Sequence, residues 1–278
     1  MLQGKRALVT GSSAGIGLAA AASFARNGAA VVLTSERPRS DVPSVESVLQ
    51  SPGCHYVEAD LACEDEAERL VQVAWDRLGG IDVLVNNLGI FREPDFLSLK
   101  KSDFDRTFGL NVWTAIAVTR EVVSRAKTAG LGGRILFSSS LNGSRSEPGH
   151  TLYDSSKGAV NALTRQLAVE LAPLGWTTAA VAPGLVETPL TDFGLRSDPV
   201  ARQQVIDQIP IRRIATVEDV AEWYSFLASD AACYATGIVV PVCGGLDAQQ
   251  MSQRPLTEAE RFTSNNNPSQ PLRSSAPN

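Results

Sequence analysis

The sequence predicts a single α/β domain built on a doubly wound parallel sheet with helices on both faces. Seven short apolar runs alternate with helix-like segments, and most of the runs are continuously apolar, as strands buried on both faces are. The chain has 278 residues, of which 44% are hydrophobic, which is enough for one large core. The runs are residues 6–10, 30–34, 55–59, 81–87, 133–139, 176–183 and 237–242.

Three of the intervening segments carry end signals of helices. The first helix is predicted to begin near Ile16 and to end at Asn27-Gly28, because glycine accepts the left-handed conformation there. Residues 63–79 place acids in the first turn and a glycine at the end, as the helix dipole favours. Residues 216–230 begin with Thr216 and two acids and predict another helix.

The composition divides the chain into a folded part and a tail. Residues 1–250 carry the predicted strands and helices, whereas residues 251–278 are rich in Ser, Asn and Pro and poor in large apolar groups. Such a segment buries too little surface to offset its ordering entropy. We therefore predict one domain over 1–250 and a flexible C-terminal tail over 251–278.

Charge and cysteine spacing exclude several function classes. A net charge of -5 and a pI near 5.2 disfavour a nucleic-acid or membrane partner, since proteins bind both through basic patches. The four cysteines show neither metal-finger nor C-x-x-C spacing, so we predict no metal and no disulfide framework. The N-terminus runs from two basic residues straight into a short strand without a signal-peptide core, so we expect a cytoplasmic protein.

A glycine-rich turn, "TGSSAGIG" at residues 10–17, follows the first predicted strand and opens the first helix. Its glycines, Gly11, Gly15 and Gly17, permit a tight turn and leave room for a pyrophosphate, which the helix N-terminus then binds through free N–H groups. The turn predicts nucleotide binding, although its spacing is neither G-x-G-x-x-G nor that of a P-loop.

The same turn also fits a second chemistry. "GSSAG" matches the G-x-S-x-G nucleophile elbow of α/β-hydrolases, with Ser13 as nucleophile. Only one strand precedes Ser13, and the base must be His55 or His150. Because His55 lies within a predicted strand, the hydrolase hypothesis depends on His150 alone.

A tyrosine and a lysine stand four residues apart in "YDSSK", residues 153–157. On a helix Tyr153 and Lys157 share one face, with Cβ atoms about 5–6 Å apart. An ammonium within about 4 Å, at an effective dielectric of about 20, favours the phenolate by up to roughly 4 kcal/mol. The pair therefore predicts an acid/base group with a lowered tyrosine pKa, usable near neutral pH without histidine.

An ordered set of motifs resembles the short-chain dehydrogenase/reductase family over residues 3–247. The set comprises "TGSSAGIG", "DL" at 60–61, "NNLG" at 86–89, Asn111, "SSSLNG" at 138–143, "YDSSK" and "PGLVET" at 183–188. One departure is Leu88, which stands where the family usually has alanine. The resemblance implies a Rossmann-type fold and a lid over the substrate at about 188–210.

The resemblance implies four catalytic residues: Asn111, Ser140, Tyr153 and Lys157. Tyr153 would exchange a proton with the substrate oxygen, which Ser140 would hold by a hydrogen bond. Lys157 would hold the nicotinamide ribose, and Asn111 would anchor a water that relays protons. Among the neighbouring serines, the family's "SSxxG" pattern selects Ser140.

The resemblance also implies a nicotinamide cofactor. Ser35 stands where NAD-preferring members have an acid, so NADP is favoured, with Arg37 or Arg39 pairing with the 2'-phosphate. Glu36 argues for NAD instead, as does Ala14, which stands where many NADP-preferring members have arginine. The expected cofactor-binding residues are Gly11, Ser13, Gly15, Ile16, Gly17, Ser35, Arg37, Asp60, Leu61, Asn87, Gly89, Tyr153, Lys157, Pro183, Gly184, Val186 and Thr188.

The function implied is hydride transfer between a nicotinamide cofactor and a ketone or aldehyde or a secondary alcohol. Within the family the chain looks most like 3-oxoacyl-carrier-protein reductases and sugar or secondary-alcohol dehydrogenases. A homo-oligomer, dimer or tetramer, is expected, with the helices in 102–126 and 152–172 as interface faces. Alternatives are a non-catalytic NAD(P)-binding scaffold of the same fold and the serine hydrolase. His150 lies three residues before Tyr153, and its simplest interpretation is a loop histidine without a catalytic role.

Overall fold

The computed structural model describes residues 1–63, 65–91, 94–188, 191 and 198–249. Part of the predicted lid, at 189–190 and 192–197, and the predicted tail at 251–278 lie outside the described residues.

Within the described residues, seven strands form one parallel sheet, which confirms the predicted fold class. All seven apolar runs became strands. The strand order is β3-β2-β1-β4-β5-β6-β7, so the chain winds outward in one direction from β1 and in the other from β4. In such sheets ligands bind outside the carboxyl ends of the strands, at this switch point. The strands are β1 (Arg6–Val9), β2 (Ala30–Ser35), β3 (His55–Glu58), β4 (Val83–Asn86), β5 (Gly133–Ser138), β6 (Trp176–Pro183) and β7 (Ile238–Val242).

The helices cover both faces of the sheet and confirm the three predicted segments. After the first helix Gly28 has φ +90°, and the third ends at Gly79 with φ +72°, both in the left-handed region. A capping box between Thr216 and Asp219 opens the last helix. The helices are α1 (Gly15–Arg26), α2 (Glu46–Leu49), α3 (Glu66–Leu78), α4 (Lys101–Phe108), α5 (Thr114–Ala129), α6 (Thr151–Leu171), α7 (Pro199–Gln208) and α8 (Val217–Ala228).

The core consists of two apolar layers that the sheet separates. Neighbouring strand residues point to opposite faces, so Ala7 joins one layer and Leu8 the other. The first layer includes Phe24 of α1 and Tyr224 of α8, and the second includes residues of α3, α5 and α6. Helices α1 and α6, which carry parts of the candidate site, therefore pack on opposite faces of the sheet.

Two further observations concern the chain as a whole. In the part of the chain that the structure describes, no helix is long and apolar enough to cross a membrane. All four cysteines are free thiols.

Candidate active site

The glycine turn lies between β1 and α1 at the carboxyl edge of the sheet. Gly11 and Gly15 have φ +60° and +57°, which only glycine adopts readily. Gly17 is needed for space, since a Cβ there would lie 2.4 Å from Nδ2 of Asn87 and 2.5 Å from the Gly11 oxygen. Helix α1 begins at Gly15, its N-cap residue Ala14 provides no side-chain cap, and its first turn contains no acid. Its first N–H groups are therefore suited to a pyrophosphate.

Asn87 joins the glycine turn to the centre of the sheet. Its Nδ2 donates to the carbonyl oxygens of Thr10 and Gly11, at 3.1 and 2.9 Å. Its Oδ1 accepts a 2.9 Å bond from Ser138 Oγ. Both side-chain donors are used, so Asn87 fixes the turn against β4 and β5, and its side-chain amide hydrogens are not free for a ribose.

The end of β2 holds a compact hydrogen-bonded group. Ser35, which is 4% exposed, has its Oγ 2.7 Å from the Tyr56 hydroxyl and accepts a 3.2 Å bond from the Arg37 amide. The Tyr56 hydroxyl also donates to the Arg37 carbonyl at 2.5 Å. Ser35 thus shapes the loop that follows β2.

The two candidate phosphate-binding arginines differ in their partners. The Arg37 guanidinium donates one bond to the carbonyl oxygen of Asp41. Arg39 forms a bidentate ion pair with Glu46, with both N–O distances 2.7 Å. Arg37 therefore has donors left for an anion, whereas a carboxylate already neutralises Arg39.

The loop after β3 carries Asp60 and Leu61. The Asp60 carboxylate accepts a 3.0 Å bond from the Ala62 amide, and the Leu61 side chain is buried. The pair follows β3, at the same edge of the sheet as the loop after β2.

The segment after β6 returns to the glycine turn. Pro183 ends β6, and a Cβ at Gly184 would lie 3.0 Å from Cys243, so the backbone passes close to the loop after β7. Val186 forms a β-bridge with Ala215. Thr188 is buried with its Oγ1 2.9 Å from that of Thr191, and its methyl lies 3.6 Å from where a Cβ of Gly15 would stand. Thr188 therefore borders the glycine turn.

Helix α6 presents Tyr153 and Lys157 on one face, as the spacing predicts. The Lys157 ammonium lies 5.6 Å from the centre of the Tyr153 ring and donates a 2.8 Å bond to the Ser138 carbonyl. Tyr153 and Ser140 are joined by a side-chain hydrogen bond. Ser140 stands just past the end of β5, where its Oγ also accepts a 3.2 Å bond from the Asn142 amide. The structure thus unites three of the four predicted catalytic side chains.

Burial governs the ionisation of this pair. It raises the pKa of Tyr153, while the hydrogen bond from Ser140 lowers it. Burial also lowers the pKa of Lys157 to about 8. The direction of the Tyr153 pKa shift is opposite to the sequence prediction, because desolvation of the phenolate outweighs its favourable interactions.

Asn111, the fourth predicted residue, lies in a π-helical turn, Gly109–Trp113, between α4 and α5. Such turns are frequent at functional sites. Its Oδ1 accepts from the Ile90 amide at 2.8 Å, and its Nδ2 donates to Ser156 Oγ at 3.0 Å. A Cβ at Gly89 would lie 3.3 Å from Asn111 Oδ1 and 3.4 Å from Lys157 Nζ. Gly89 thus keeps the backbone close to both side chains.

The geometry and the comparisons agree on the family. Residues 11–247 match the family model described as enoyl-(acyl carrier protein) reductase. The chain belongs to the short-chain dehydrogenase/reductase family. It is therefore an NAD(P)-dependent oxidoreductase that acts on CH–OH groups.

Two short-chain dehydrogenases/reductases of known structure and one curated relative illustrate the similarity. An L-xylulose reductase from Bos taurus is 37% identical over 244 residues, covering 88% of this chain and 97% of the relative. A candidate 2-deoxy-D-gluconate 3-dehydrogenase from Agrobacterium tumefaciens, solved with bound NADP, is 31% identical with TM-score 0.81, covering 89% and 98%. A 3-ketoacyl-(acyl-carrier-protein) reductase from Brucella melitensis, complexed with NADH, is 31% identical with TM-score 0.80, covering 89% and 100%.

Sequence reasoning missed several residues of this dehydrogenase/reductase site. Phe91 packs edge-on against the Tyr153 ring, with centroids 5.0 Å apart, and against the His150 ring at 4.5 Å. Asn142 bonds both His150 and Asp154. No spacing rule marks these residues, because three separate segments bring them together.

The contacts of the two histidines bear on the hydrolase alternative. Among the described residues, His150 contacts Asn142, Glu147 and Asp154 through its Nδ1 atom. His55 pairs with Val32 inside the sheet. Neither contact set includes Ser13, so the triad that a serine hydrolase requires is not formed in the described residues.

Proposed function

We propose that the protein interconverts a ketone or aldehyde and a secondary alcohol, with Tyr153 as the acid/base residue. The observation that carries the proposal is the hydrogen bond between Tyr153 and Ser140, with the Lys157 ammonium buried beneath the tyrosine ring. A phenol whose pKa is raised stays protonated at neutral pH, as a proton donor to a carbonyl oxygen must.

The roles of the residues follow from their atoms. In reduction the Tyr153 hydroxyl donates its proton to the substrate oxygen, and in oxidation it accepts that proton back. The Ser140 hydroxyl holds the same oxygen. A bound nicotinamide supplies the hydride-transfer chemistry. The Lys157 ammonium stabilises the phenolate and holds the cofactor ribose, and Asn111 anchors a water for proton relay.

We propose NADP as the preferred cofactor, bound along the glycine turn. The pyrophosphate would lie on the first turn of α1, beside Thr188, and the 2'-phosphate beside Arg37. The two structural relatives carry different cofactors, NADP in one and NADH in the other. The preference is therefore argued from Arg37, whose guanidinium retains donors, and from the absence of an acid at Ser35.

Fluorescence titrations with NADPH and NADH test the cofactor assignment. We expect tighter binding of NADPH, and an Arg37→Ala variant should weaken NADPH about 10-fold or more while leaving NADH unchanged, since one charge-assisted contact is lost. Arg39→Ala is the control, because Glu46 already neutralises Arg39. Equal losses for both cofactors in Arg37→Ala would mean that Arg37 supports the loop rather than the phosphate.

The substrate class, assembly and location complete the proposal. The relatives' names, a sugar reductase and a ketoacyl reductase, support a small-molecule carbonyl or alcohol substrate. We propose a homo-oligomer, dimer or tetramer, in the cytoplasm. The free thiols of all four cysteines are consistent with a reducing compartment.

The decisive experiment is carbonyl-dependent NADPH oxidation by wild type and Tyr153→Phe. We expect the variant to lose 10²- to 10⁴-fold in kcat, the usual contribution of a general acid, while retaining NADPH binding. Tyr234→Phe is the matched control, because that side chain is 99% exposed. Unchanged turnover in Tyr153→Phe would refute the assigned role, and cofactor binding without turnover in wild type would favour the scaffold alternative.

A further inference from the structure

A polar cluster lies beside Tyr153 that the proposed mechanism does not use. The His150 ring is T-shaped against Phe91, with centroids 4.5 Å apart, and its centroid is 6.3 Å from that of Tyr153. The His150 side chain is 23% exposed. Three rings, those of Phe91, His150 and Tyr153, thus lie against one another beside the proposed acid/base residue.

Asp154 fixes the orientation of the neighbouring amide. Its carboxylate is only 10% exposed and accepts two bonds, from the Glu147 backbone amide at 3.0 Å and from Asn142 Nδ2 at 2.9 Å. A carboxylate can only accept, so the NH₂ group of Asn142 must face it. The reversed amide would set two oxygens against each other at that distance.

The oriented amide in turn fixes the His150 tautomer. Asn142 Nδ2 also lies 3.1 Å from His150 Nδ1, and since Nδ2 is a donor, Nδ1 must be the unprotonated acceptor. The neutral ring then carries its proton on Nε2. The other charged groups near Nδ1 are the Asp154 carboxylate at 3.7 Å and the Glu147 carboxylate at 3.4 Å, of which the Glu147 side chain is 63% exposed.

The Nε2 proton has no acceptor among the described residues, although Nδ1 has three neighbours. We infer that His150 determines specificity by donating a hydrogen bond from Nε2 to a second oxygen of the substrate, one or two carbons from the reacting carbon. The inference rests on the proposed function, because Tyr153 and Ser140 must hold the first oxygen. Asn142 and Asp154 are positioning residues that act through His150.

The substrate class that follows is that of carbonyl compounds with a neighbouring oxygen, such as hydroxy ketones and dicarbonyls. A donor this close to Tyr153 reaches an oxygen beside the reacting carbonyl, whereas a plain ketone leaves the donor unpaired. A site with a preformed donor discriminates against the analogue that lacks the acceptor. Phe91 would pack against the carbon skeleton between the two oxygens.

Matched substrate pairs test the inference. The value of kcat/KM is measured with NADPH for 2-hydroxycyclohexanone against cyclohexanone, and for 3-hydroxy-2-butanone against 2-butanone. We expect wild type to prefer the hydroxy ketones. His150→Phe, which keeps a ring against Phe91, should lower that preference about 5- to 10-fold, because one hydrogen bond to the second oxygen is lost. His150→Gln retains a side-chain donor and should restore part of the preference.

A spectroscopic measurement tests the positioning role independently. The chain has two histidines, so a ¹⁵N-histidine spectrum contains two ring systems, and His55→Gln assigns them. At pH 8 we expect His150 as the Nε2–H tautomer in wild type and a mixture of tautomers in Asn142→Ala. A role of Asn142 in folding alone would leave the tautomer unchanged.

The possible failures are distinguishable. Equal effects of His150→Phe on both members of each pair, or equal kcat/KM of wild type for hydroxy and plain ketones, would overturn the specificity inference. Failure of the proposed function has other signatures, namely NADPH binding without turnover of either pair and full activity in Tyr153→Phe.

Discussion

Lys157 is the residue at which the requirements of the proposed chemistry and of fold stability conflict. It is 5% exposed, and within the described residues its ammonium donates a hydrogen bond to a single carbonyl oxygen, that of Ser138. Burial lowers its pKa to about 8, so the charged form that the proposed mechanism needs is destabilised at neutral pH. Stability is thus lost at the position where a cofactor ribose and a phenolate would be bound.

Lys157→Met should therefore change the pH dependence of stability. The folded protein releases the lysine proton near pH 8, but the unfolded chain keeps it to about pH 10.4, so the wild type gains stability as pH rises through this window. Between pH 7 and 9.5 the gain should be about 2 kcal/mol relative to Lys157→Met. Urea unfolding of both proteins at several pH values measures it, and parallel pH curves for the two proteins would contradict the assigned burial cost.

At the same scale, the candidate catalytic side chains could be named from the sequence, whereas their supporting contacts could not. Tyr153 and Lys157 follow from helical spacing alone, and Ser140 follows once the motif pattern is recognised. Asn142 and Asp154 could not be found this way, because their roles depend on a loop folding back onto the start of α6. The predicted fall in the Tyr153 pKa was wrong because sequence spacing gives no measure of burial.

Helix α6 is the element that fixes the site, and buried side-chain bonds attach it to the sheet. Ser139 Oγ donates to Asn161 Oδ1 at 2.6 Å, and Thr178 Oγ1 donates to the Thr164 carbonyl at 2.6 Å. Together with the bond from Lys157 to Ser138, they link the helix to β5, its following residue and β6. The face that carries Tyr153 therefore cannot rotate away from Ser140 without breaking them.

Asn161→Ala tests this attachment. The change leaves the buried Ser139 hydroxyl without its acceptor, which typically costs about 1–3 kcal/mol. We expect the free energy of unfolding, from urea titration, to fall by that amount. Gln166→Ala on the same helix is the control, because its bond to Glu170 is exposed and its loss should cost less than about 0.5 kcal/mol. Equal effects of the two substitutions would mean that the Ser139 bond adds no stability.

The strands were more predictable than their ends. Continuous apolar runs identified all seven, because both faces of a parallel sheet are buried. The predicted runs extended too far at several carboxyl ends, for example to Thr10 and Ser139. Both residues still donate a backbone bond to the neighbouring strand, Thr10 to Val85 and Ser139 to Val181. Their side chains bond other segments, since Thr10 Oγ1 accepts from the Asn87 amide and Ser139 bonds Asn161.

At the scale of the molecule, the sheet order explains how distant motifs form one site. Strands β1 and β4 are adjacent, so the glycine turn and the segment 87–91 meet at the switch point. The motifs lie far apart in sequence, yet each follows the carboxyl end of a strand or lies on a helix packed beside it. Their order along the chain could be read from sequence, whereas their contacts required the sheet topology.

On the surface of the molecule, large apolar side chains are exposed on the helices that were predicted to form interfaces. Trp113, the last residue of the π-helical turn before α5, is 55% exposed, and Val169 on α6 is 75% exposed. Burial of such groups against a second copy would contribute about 25 cal/mol per Å². If the proposed homo-oligomer uses these faces, a charge placed on each should dissociate it.

We expect light scattering to give a mass of two or four chains for wild type and one chain of 29.6 kDa for Trp113→Glu/Val169→Glu, because two buried carboxylates without partners are costly. Val200→Glu is the control, since Val200 is 68% exposed but lies on α7, outside the proposed faces. A wild type that is already monomeric would exclude the oligomer. A variant that keeps the wild-type mass would instead place the interface on another face, such as the exposed edge of β7, where Ile238 is 38% exposed.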